Sequence, residues 1–384
     1  MLQLPPLALY IHIPWCVRKC PYCDFNSHGA PQDLPVQRYV DALLADLEQD
    51  LPLVWGRPVS SIFFGGGTPS LFSAEAIGTI LRGVASRLPL RPGLEITLEA
   101  NPGTTEFDRF EAYREAGVNR LSFGVQSFDD DCLTRLGRIH DSAQAEHAFH
   151  SARNAGFDNI NLDLMYALPG QNLAKALSDL RRAVALAPEH LSHYQLTLEP
   201  NTLFAARPPE QLPDEDSAWD MQEACQETLA ENGYTQYEVS AYAQPERGCA
   251  HNLNYWRFGD YLGIGAGAHA KLTLPATQQV LRRWKIKHPQ AYLDHAHGAQ
   301  RIGGDEYIAP DARPFEFMLN ALRLNEGADL VSFEARTGLA RDVLQSAFST
   351  AEKRGWLEIK GNRFRASALG QRFLNDLVAL FLPN

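Results

Sequence analysis

The chain has 384 residues, 45% of them hydrophobic and 21% charged, which is enough apolar material for more than one core and too much for a disordered chain. Its 46 acidic side chains against 35 basic ones leave a formal charge of -11, which argues against binding nucleic acid through its phosphates as the main activity. No apolar run reaches the ~18 residues of a membrane span, so no membrane anchor is expected.

Met1 to Pro14 carries no basic leader region and runs directly into a cysteine-bearing motif. It reads as a first strand of a cytoplasmic protein. From about residue 7 to 199, short β-rich runs alternate with helical patterns, the order of repeated βα units around a parallel sheet or barrel. Strands are predicted near 7–13, 60–66, 94–100, 120–126, 159–166 and 190–199. Helices are predicted over Val36–Leu51, Ala74–Leu88, Thr105–Ala116 and Leu173–Ala187, each with apolar residues three and four apart. Six such units predict a partial barrel rather than a full one of eight.

Parallel strands covered on both faces read as continuous apolar runs, and these do not. Period two puts Glu95, Thr97 and Glu99 on one face, as it does Ser122, Gly124 and Gln126, then Asn159, Asn161 and Asp163, then His193, Gln195, Thr197 and Glu199. The opposite faces, such as Leu121 with Phe123 and Tyr194 with Leu196, suit a ring of covering helices. A polar inner face implies a lumen holding ligand or water.

A Pro-rich link, Arg207 to Pro213, leads to an amphipathic helix at Asp216–Glu231, and a loop-rich stretch follows to about Pro310. Beyond it come helical patterns at Arg313–Leu322, Val331–Thr337 and Asp342–Arg354, a hairpin turning at Gly361-Asn362, and a closing helix from Leu369. The expected organisation is α/β: a barrel over 1–205, an accessory segment over 206–310, and a winged-helix-like α+β domain over 311–384. From Asp329 onward, eight basic residues face six acidic ones, a weak footprint for duplex DNA. A lid or a docking surface for a client protein is the preferred role for this end.

Three of the six cysteines, Cys16, Cys20 and Cys23, crowd into one short loop after the first strand, while Cys132, Cys225 and Cys249 are scattered. That grouping points to a metal site in a reducing compartment rather than to disulfides. Thiolates select zinc or iron-sulfur clusters, and a cuboidal cluster held by three protein ligands leaves one iron open. The alternative is a zinc site completed by Cys249 or His251. Gly65-Gly66-Gly67 lets a backbone approach a ligand closely, and every polar motif falls at the carboxyl end of a predicted strand, where barrel active sites assemble.

Tyr10-Ile-His-Ile-Pro-Trp-Cys16-x3-Cys20-x2-Cys23, Gly65-Gly-Gly-Thr-Pro69 and Glu99-Ala-Asn-Pro102 together resemble the radical S-adenosylmethionine (SAM) superfamily. The resemblance implies a partial (β/α)6 TIM-like barrel, a 4Fe-4S cluster on Cys16, Cys20 and Cys23, and SAM chelating the open iron, whose reductive cleavage yields a 5'-deoxyadenosyl radical. It further implies that Gly66, Gly67, Thr68 and Glu99 contact the methionine end of SAM. Gln126 and Asp163 would bond toward its ribose or purine, Arg138 would pair with its carboxylate, and Tyr10 would lie beside the cluster.

Asp24-Phe25-Asn26-Ser27 after the third cysteine, with His251-Asn252-Leu253-Asn254-Tyr255-Trp256, resembles the HemW family of haem chaperones over nearly the whole chain. This implies haem as cargo, His251 as a haem-contact residue beside the aromatic Tyr255 and Trp256, and acceptor haem proteins such as respiratory enzymes as partners. The related oxygen-independent coproporphyrinogen III oxidase has a further cysteine where this chain has Phe25, and a longer segment before its cluster loop than the fifteen residues here. An oxidase is therefore the alternative, and a haem- or redox-sensing DNA-binding regulator the second alternative. Gly263 to His269 reads as close backbone packing beneath the site, with His269 a secondary candidate for the cavity.

Overall fold

The alternating runs become six parallel strands in the computed structural model, which describes residues 1–103 and 110–383. They are β1 (Leu7–Ile13), β2 (Val59–Gly66), β3 (Leu90–Ala100), β4 (Arg120–Gln126), β5 (Ile160–Tyr166) and β6 (His190–Gln195), each paired in parallel with the next. The crossovers carry α1 (Val36–Val54), α2 (Ala74–Ala85), α3 (Phe110–Glu115), α4 (Ser142–Asn154) and α5 (Leu173–Ala185). The start of the third predicted helix, 105–109, lies outside the described residues.

Local chemistry starts the helices where the sequence places caps. The Ser73 side chain accepts from the Ala76 amide, Asn172 from that of Lys175, and Asp141 forms a reciprocal capping box with Gln144. On the outer face of the strands, Ile62, Phe64, Leu98, Leu121, Phe123 and Leu162 are buried together with Leu43, Ile77 and Leu180 of the helices. The inner face carries the polar residues, as alternation requires. On β6 the predicted faces are exchanged. Asp163 pairs with Ser192 and Met165 with Tyr194, so His190, Ser192 and Tyr194 point inward while His193 stacks outside on Tyr166. The misreading followed Thr197 and Glu199, which lie past the end of the strand.

The segment expected to be loop-rich is mostly sheet. After α6 (Glu215–Glu231), β7 (Thr235–Glu238) and β8 (Ala241–Ala243) form a hairpin on β6; after α7 (Ala250–Trp256), β9 (Asp260–Ile264) runs parallel to β1 on its other side. Then β10 (His269–Leu274), β11 (Gln279–Lys285) and β12 (Ile302–Tyr307) follow as an antiparallel meander. The result is one twelve-stranded sheet, ordered β12-β11-β10-β9-β1-β2-β3-β4-β5-β6-β8-β7.

At the carboxyl end, α8 (Arg313–Ala321), α9 (Leu330–Thr337) and α10 (Gln345–Lys353) pack on a small antiparallel sheet of β13 (Ala328–Asp329), β14 (Leu357–Lys360) and β15 (Arg363–Ala366). Phe317, Phe333, Phe348 and Phe364 form a second core there. Gly361 takes the left-handed conformation (φ 62°) that the hairpin turn needs. Among the described residues, no helix is long and apolar enough to cross a membrane.

Candidate functional site

The carboxyl ends of the six parallel strands and the cysteine loop enclose a cavity of about 420 Å³. It gathers Cys16, Cys20, Cys23, Gly66, Gly67, Thr68, Glu99, Gln126, Arg138 and Asp163, which lie far apart in sequence. Tyr10 and His251 are not among its lining.

The cysteine loop is anchored at both ends. Trp15–Cys16 pairs in parallel with His28–Gly29, and the loop's exit is held where the Asn26 side-chain amide donates to the carbonyls of Ala266 and Lys287, each at 2.9 Å. All three thiols are free. Burial raises the Cys16 thiol, opposed by a hydrogen bond with Thr68, and burial likewise raises Cys23. The Arg138 guanidinium donates to Cys20 Sγ at 3.4 Å and to the Gly124 carbonyl at 2.5 Å, and its Nε is buried with no partner among the described residues.

The glycine turn is a cradle with no room for side chains. A Cβ on Gly67 would lie 2.5 Å from the Trp15 carbonyl oxygen, and one on Gly66, at φ 118°, would lie 2.6 Å from the His12 ring. The Gly66 amide donates to Glu99 Oε2 at 3.2 Å. Burial, then the nearby Asp163, pushes the Glu99 carboxyl up to about 8, so in the free protein it holds a proton near neutral pH. Burial also raises Asp163, whose Oδ1 accepts from Asn161 Nδ2 at 2.8 Å. Gln126, at φ 72° where β4 bends out of register, accepts from the Tyr194 hydroxyl at 2.9 Å.

Below this rim lies a polar network that the sequence did not reveal. Asn161 donates to Asp163 and to Ser122 Oγ, and its Oδ1 meets His190 Nδ1 at 2.6 Å. Because that acceptor needs a donor, His190 carries its proton on Nδ1 and accepts from the Tyr237 hydroxyl at Nε2. Deeper still, Glu95 caps α7, accepting from the amides of Ala250 and His251 and lying against Cys249 Sγ, with Arg120 at 3.9 Å.

His251 therefore does not stand where an exposed iron ligand would. It is buried, with Nδ1 on Ser61 Oγ at 3.0 Å and Nε2 on the Tyr255 hydroxyl at 2.9 Å. Burial, then Arg120, lowers its pKa to about 3, so it is a neutral ring with both nitrogens occupied. Its ring positions Tyr255. A zinc site completed by Cys249 or His251 is also not assembled, since both attach to the Glu95 end of β3, four residues or roughly 13 Å from Glu99 along an extended strand.

Tyr10 lies under Gly65, its hydroxyl 3.0 Å from His12 Nδ1, and so lines the next space rather than the thiol cavity. That space, of about 320 Å³, shares Gly66 and Glu99 with the thiol cavity. A further one of about 280 Å³ includes Tyr255, Trp256, Tyr261 and Arg282, and both contain Tyr10 and His269.

The donor set fits the group it was read to hold. No three donors among the described residues converge on a single metal position; a cluster takes one thiolate on each of three irons and makes no such demand. The unpartnered Arg138 Nε supplies a buried donor for a carboxylate, and the glycine cradle and Glu99 supply acceptors for an ammonium group.

Comparison with known proteins agrees with this geometry. The model of the Radical SAM superfamily matches residues 10–183, and that of the HemN C-terminal domain matches residues 308–373. The chain is 51% identical to "Heme chaperone HemW" of Escherichia coli (strain K12), covering all of both chains. It is 49% identical to the protein of that name from Haemophilus influenzae, covering 100% of this chain and 99% of the other. Among solved structures, coproporphyrinogen III oxidase (HemN) from Escherichia coli superposes with a TM-score of 0.83 at 24% identity, over 98% of this chain and 90% of that one, a likeness of fold.

Proposed function

Because the chain belongs to the HemW family of haem chaperones within the radical SAM superfamily, we propose that it binds haem beside a cluster and SAM site and delivers it to acceptor haem proteins such as respiratory enzymes. The observation that carries this reading is the 51% identity running the full length of both chains, supported by the gathering of the motif residues around one cavity.

In this reading the six parallel strands are a partial (β/α)6 barrel, and the carboxyl-terminal helices with their hairpin are a winged-helix-like unit. Cys16, Cys20 and Cys23 would hold a 4Fe-4S cluster, which would supply one-electron chemistry when bound. Arg138 orients a carboxylate through its free Nε while its other nitrogens stay on Gly124 and Cys20. Glu99, protonated in the free site, would release that proton to solvent as its carboxylate accepts from an ammonium group, and Gly66 and Gly67 would let the ligand lie against backbone. Thr68 steadies the Cys16 thiolate. Gln126 and Asp163, fixed by Tyr194 and Asn161, orient the sugar or base. Phe25 stands where the oxidase resemblance calls for a further cysteine, which weighs against porphyrinogen decarboxylation.

The test is an anaerobic haem titration of cluster-reconstituted protein with and without SAM, followed by mixing with an apo-haem acceptor. Uptake and transfer are expected. Failure to bind haem, or decarboxylation of coproporphyrinogen by the same preparation, refutes the proposal.

A further inference from the structure

Beneath the rim, one chain of hydrogen bonds joins the candidate SAM site to the start of α7. From Asp163 Oδ1 it passes to Asn161 Nδ2 at 2.8 Å, from Asn161 Oδ1 to His190 Nδ1 at 2.6 Å, and from His190 Nε2 to the Tyr237 hydroxyl at 2.8 Å. The same hydroxyl accepts from the Cys249 amide at 3.3 Å. Cys249 precedes α7, whose Ala250 and His251 amides are held by Glu95, so two side chains hold three consecutive amides. Tyr237 is itself fixed. Its ring meets the His190 ring edge-on with centroids 5.6 Å apart, and its carbonyl accepts from the Asn325 amide at 3.0 Å.

Every bond in this chain has a direction, and the direction is set at the Asp163 end. While Asp163 accepts, the Asn161 nitrogen must face it, the Asn161 oxygen must face His190, and His190 must carry its proton on Nδ1. Nε2 then accepts, the Tyr237 hydroxyl donates to it, and the hydroxyl lone pair is left for the Cys249 N–H. Burial, then Arg120, lowers the His190 pKa, so the ring stays neutral, with one nitrogen donating and the other accepting. Were Asp163 to donate instead, each bond would reverse, and the Ser122 and Ser192 hydroxyls on Asn161 can turn to suit either direction. The Tyr237 hydrogen would then turn toward the Cys249 amide, itself a donor, and that hold on α7 would be lost. Burial raises the Asp163 carboxyl, which brings its protonated, donating form within reach of the empty site.

Resting on the haem-chaperone reading above, and on the His251 contact that the family resemblance implies, we propose that Tyr237 is a positioning residue that couples the two ligand sites. Donors of SAM on Asp163 hold the chain in the accepting direction and keep α7, and with it His251, withdrawn from haem. In that direction the His251 nitrogens are occupied by Ser61 and Tyr255. SAM therefore favours the haem-releasing state, and by linkage haem weakens SAM binding by the same factor. Tyr237 is not among the lining of the three cavities described above. Its loss removes the link while Asp163 stays on Asn161 and Glu95 stays on α7.

The experiment titrates ferric haem into the full-length, cluster-reconstituted protein with and without saturating SAM, and follows haem absorbance. In the wild type, SAM is expected to raise the haem dissociation constant at least about fivefold. In Tyr237→Phe both titrations give the SAM-free value, while SAM affinity without haem stays near that of the wild type, a pattern that a general loss of structure does not produce. His190→Asn keeps an amide nitrogen for Asn161 but drops Tyr237; it is expected to lose the coupling in the same way, and it decides the question by itself where Tyr237→Phe does not fold. Wild-type protein that takes up no haem refutes the chaperone reading, and wild-type protein that takes up no SAM refutes the SAM-site reading. Binding of both with no effect of SAM on haem refutes the coupling alone, as does a SAM effect retained in Tyr237→Phe or in His190→Asn.

Discussion

Replacing Lys285 with Met tests what welds the accessory strands to the barrel. Lys285 is buried on β11, and its ammonium contacts Asp46 and Asp50 of α1, both also buried. Asp46 further accepts from Arg301 Nε at 2.8 Å, the Tyr292 hydroxyl at 2.8 Å and the Gly265 amide at 3.2 Å. Asp50 accepts from Arg301 at 2.6 Å and Arg283 at 2.7 Å, and Arg283 is shared with Asp305. Three cations thus balance three carboxylates. Met preserves the volume and leaves one negative charge uncompensated. A contact near 4 Å is worth about 4 kcal/mol at an effective dielectric of 20; after crediting the avoided desolvation of the ammonium, the net loss is about 3–5 kcal/mol. At roughly 2 °C per kcal/mol for a chain longer than 150–250 residues, this lowers the melting temperature by several degrees. Calorimetry of Lys285→Met and of Lys285→Met with Asp50→Asn measures it. The double variant restores neutrality, so it loses less than the two single changes added together. A loss below about 1 kcal/mol for the single variant, or strict additivity in the double, refutes the argument.

Gly67→Ala drives a methyl group into the Trp15 backbone at 2.5–2.8 Å, at a cost of about 1–3 kcal/mol; isothermal titration with SAM is expected to show weak or no binding while circular dichroism stays native. Asn26→Ala removes two side-chain hydrogen bonds that fasten the cysteine loop, about 0.5–1.5 kcal/mol each, so iron is lost faster to a chelator than from the wild type; equal loss rates contradict the latch. Glu99 is protonated below about 8 in the free site, and a cationic ligand group favours its ionised form. SAM affinity is therefore expected to rise with pH toward 8 and level off above it, and the Glu99→Gln variant, compared over the same range, isolates that component.

The six parallel strands were legible because the succession of strands and helices gives their direction and period-two alternation gives their inner face; β1 and β4 occupy the predicted residues. The candidate site was legible for a related reason. Glu99 and Gln126 lie at strand ends, Cys16 follows one and Asp163 sits on the inner face of β5, and parallel topology carries them to one cavity. The β6 faces were misread because loop residues Thr197 and Glu199 extended the pattern past Gln195, where the strand stops.

The accessory strands failed to declare themselves for a different reason. Nothing in the local pattern of Lys271, Arg283, Lys285, Gly303 or Gly304 marks a strand, and Gly263 and Gly265 read only as close backbone packing. They are accommodated in the sheet and its turns only because Asp260, Asp50 and Asp46 neutralise the cations and because the glycines admit the His269 backbone, the His12 carbonyl and the Trp284 ring. Each partner is supplied by another strand or helix, and those on β1 and α1 lie more than 200 residues away in sequence. A short sequence window weighs propensity and pattern but not pairing, so buried ion pairs and glycine platforms are invisible to it.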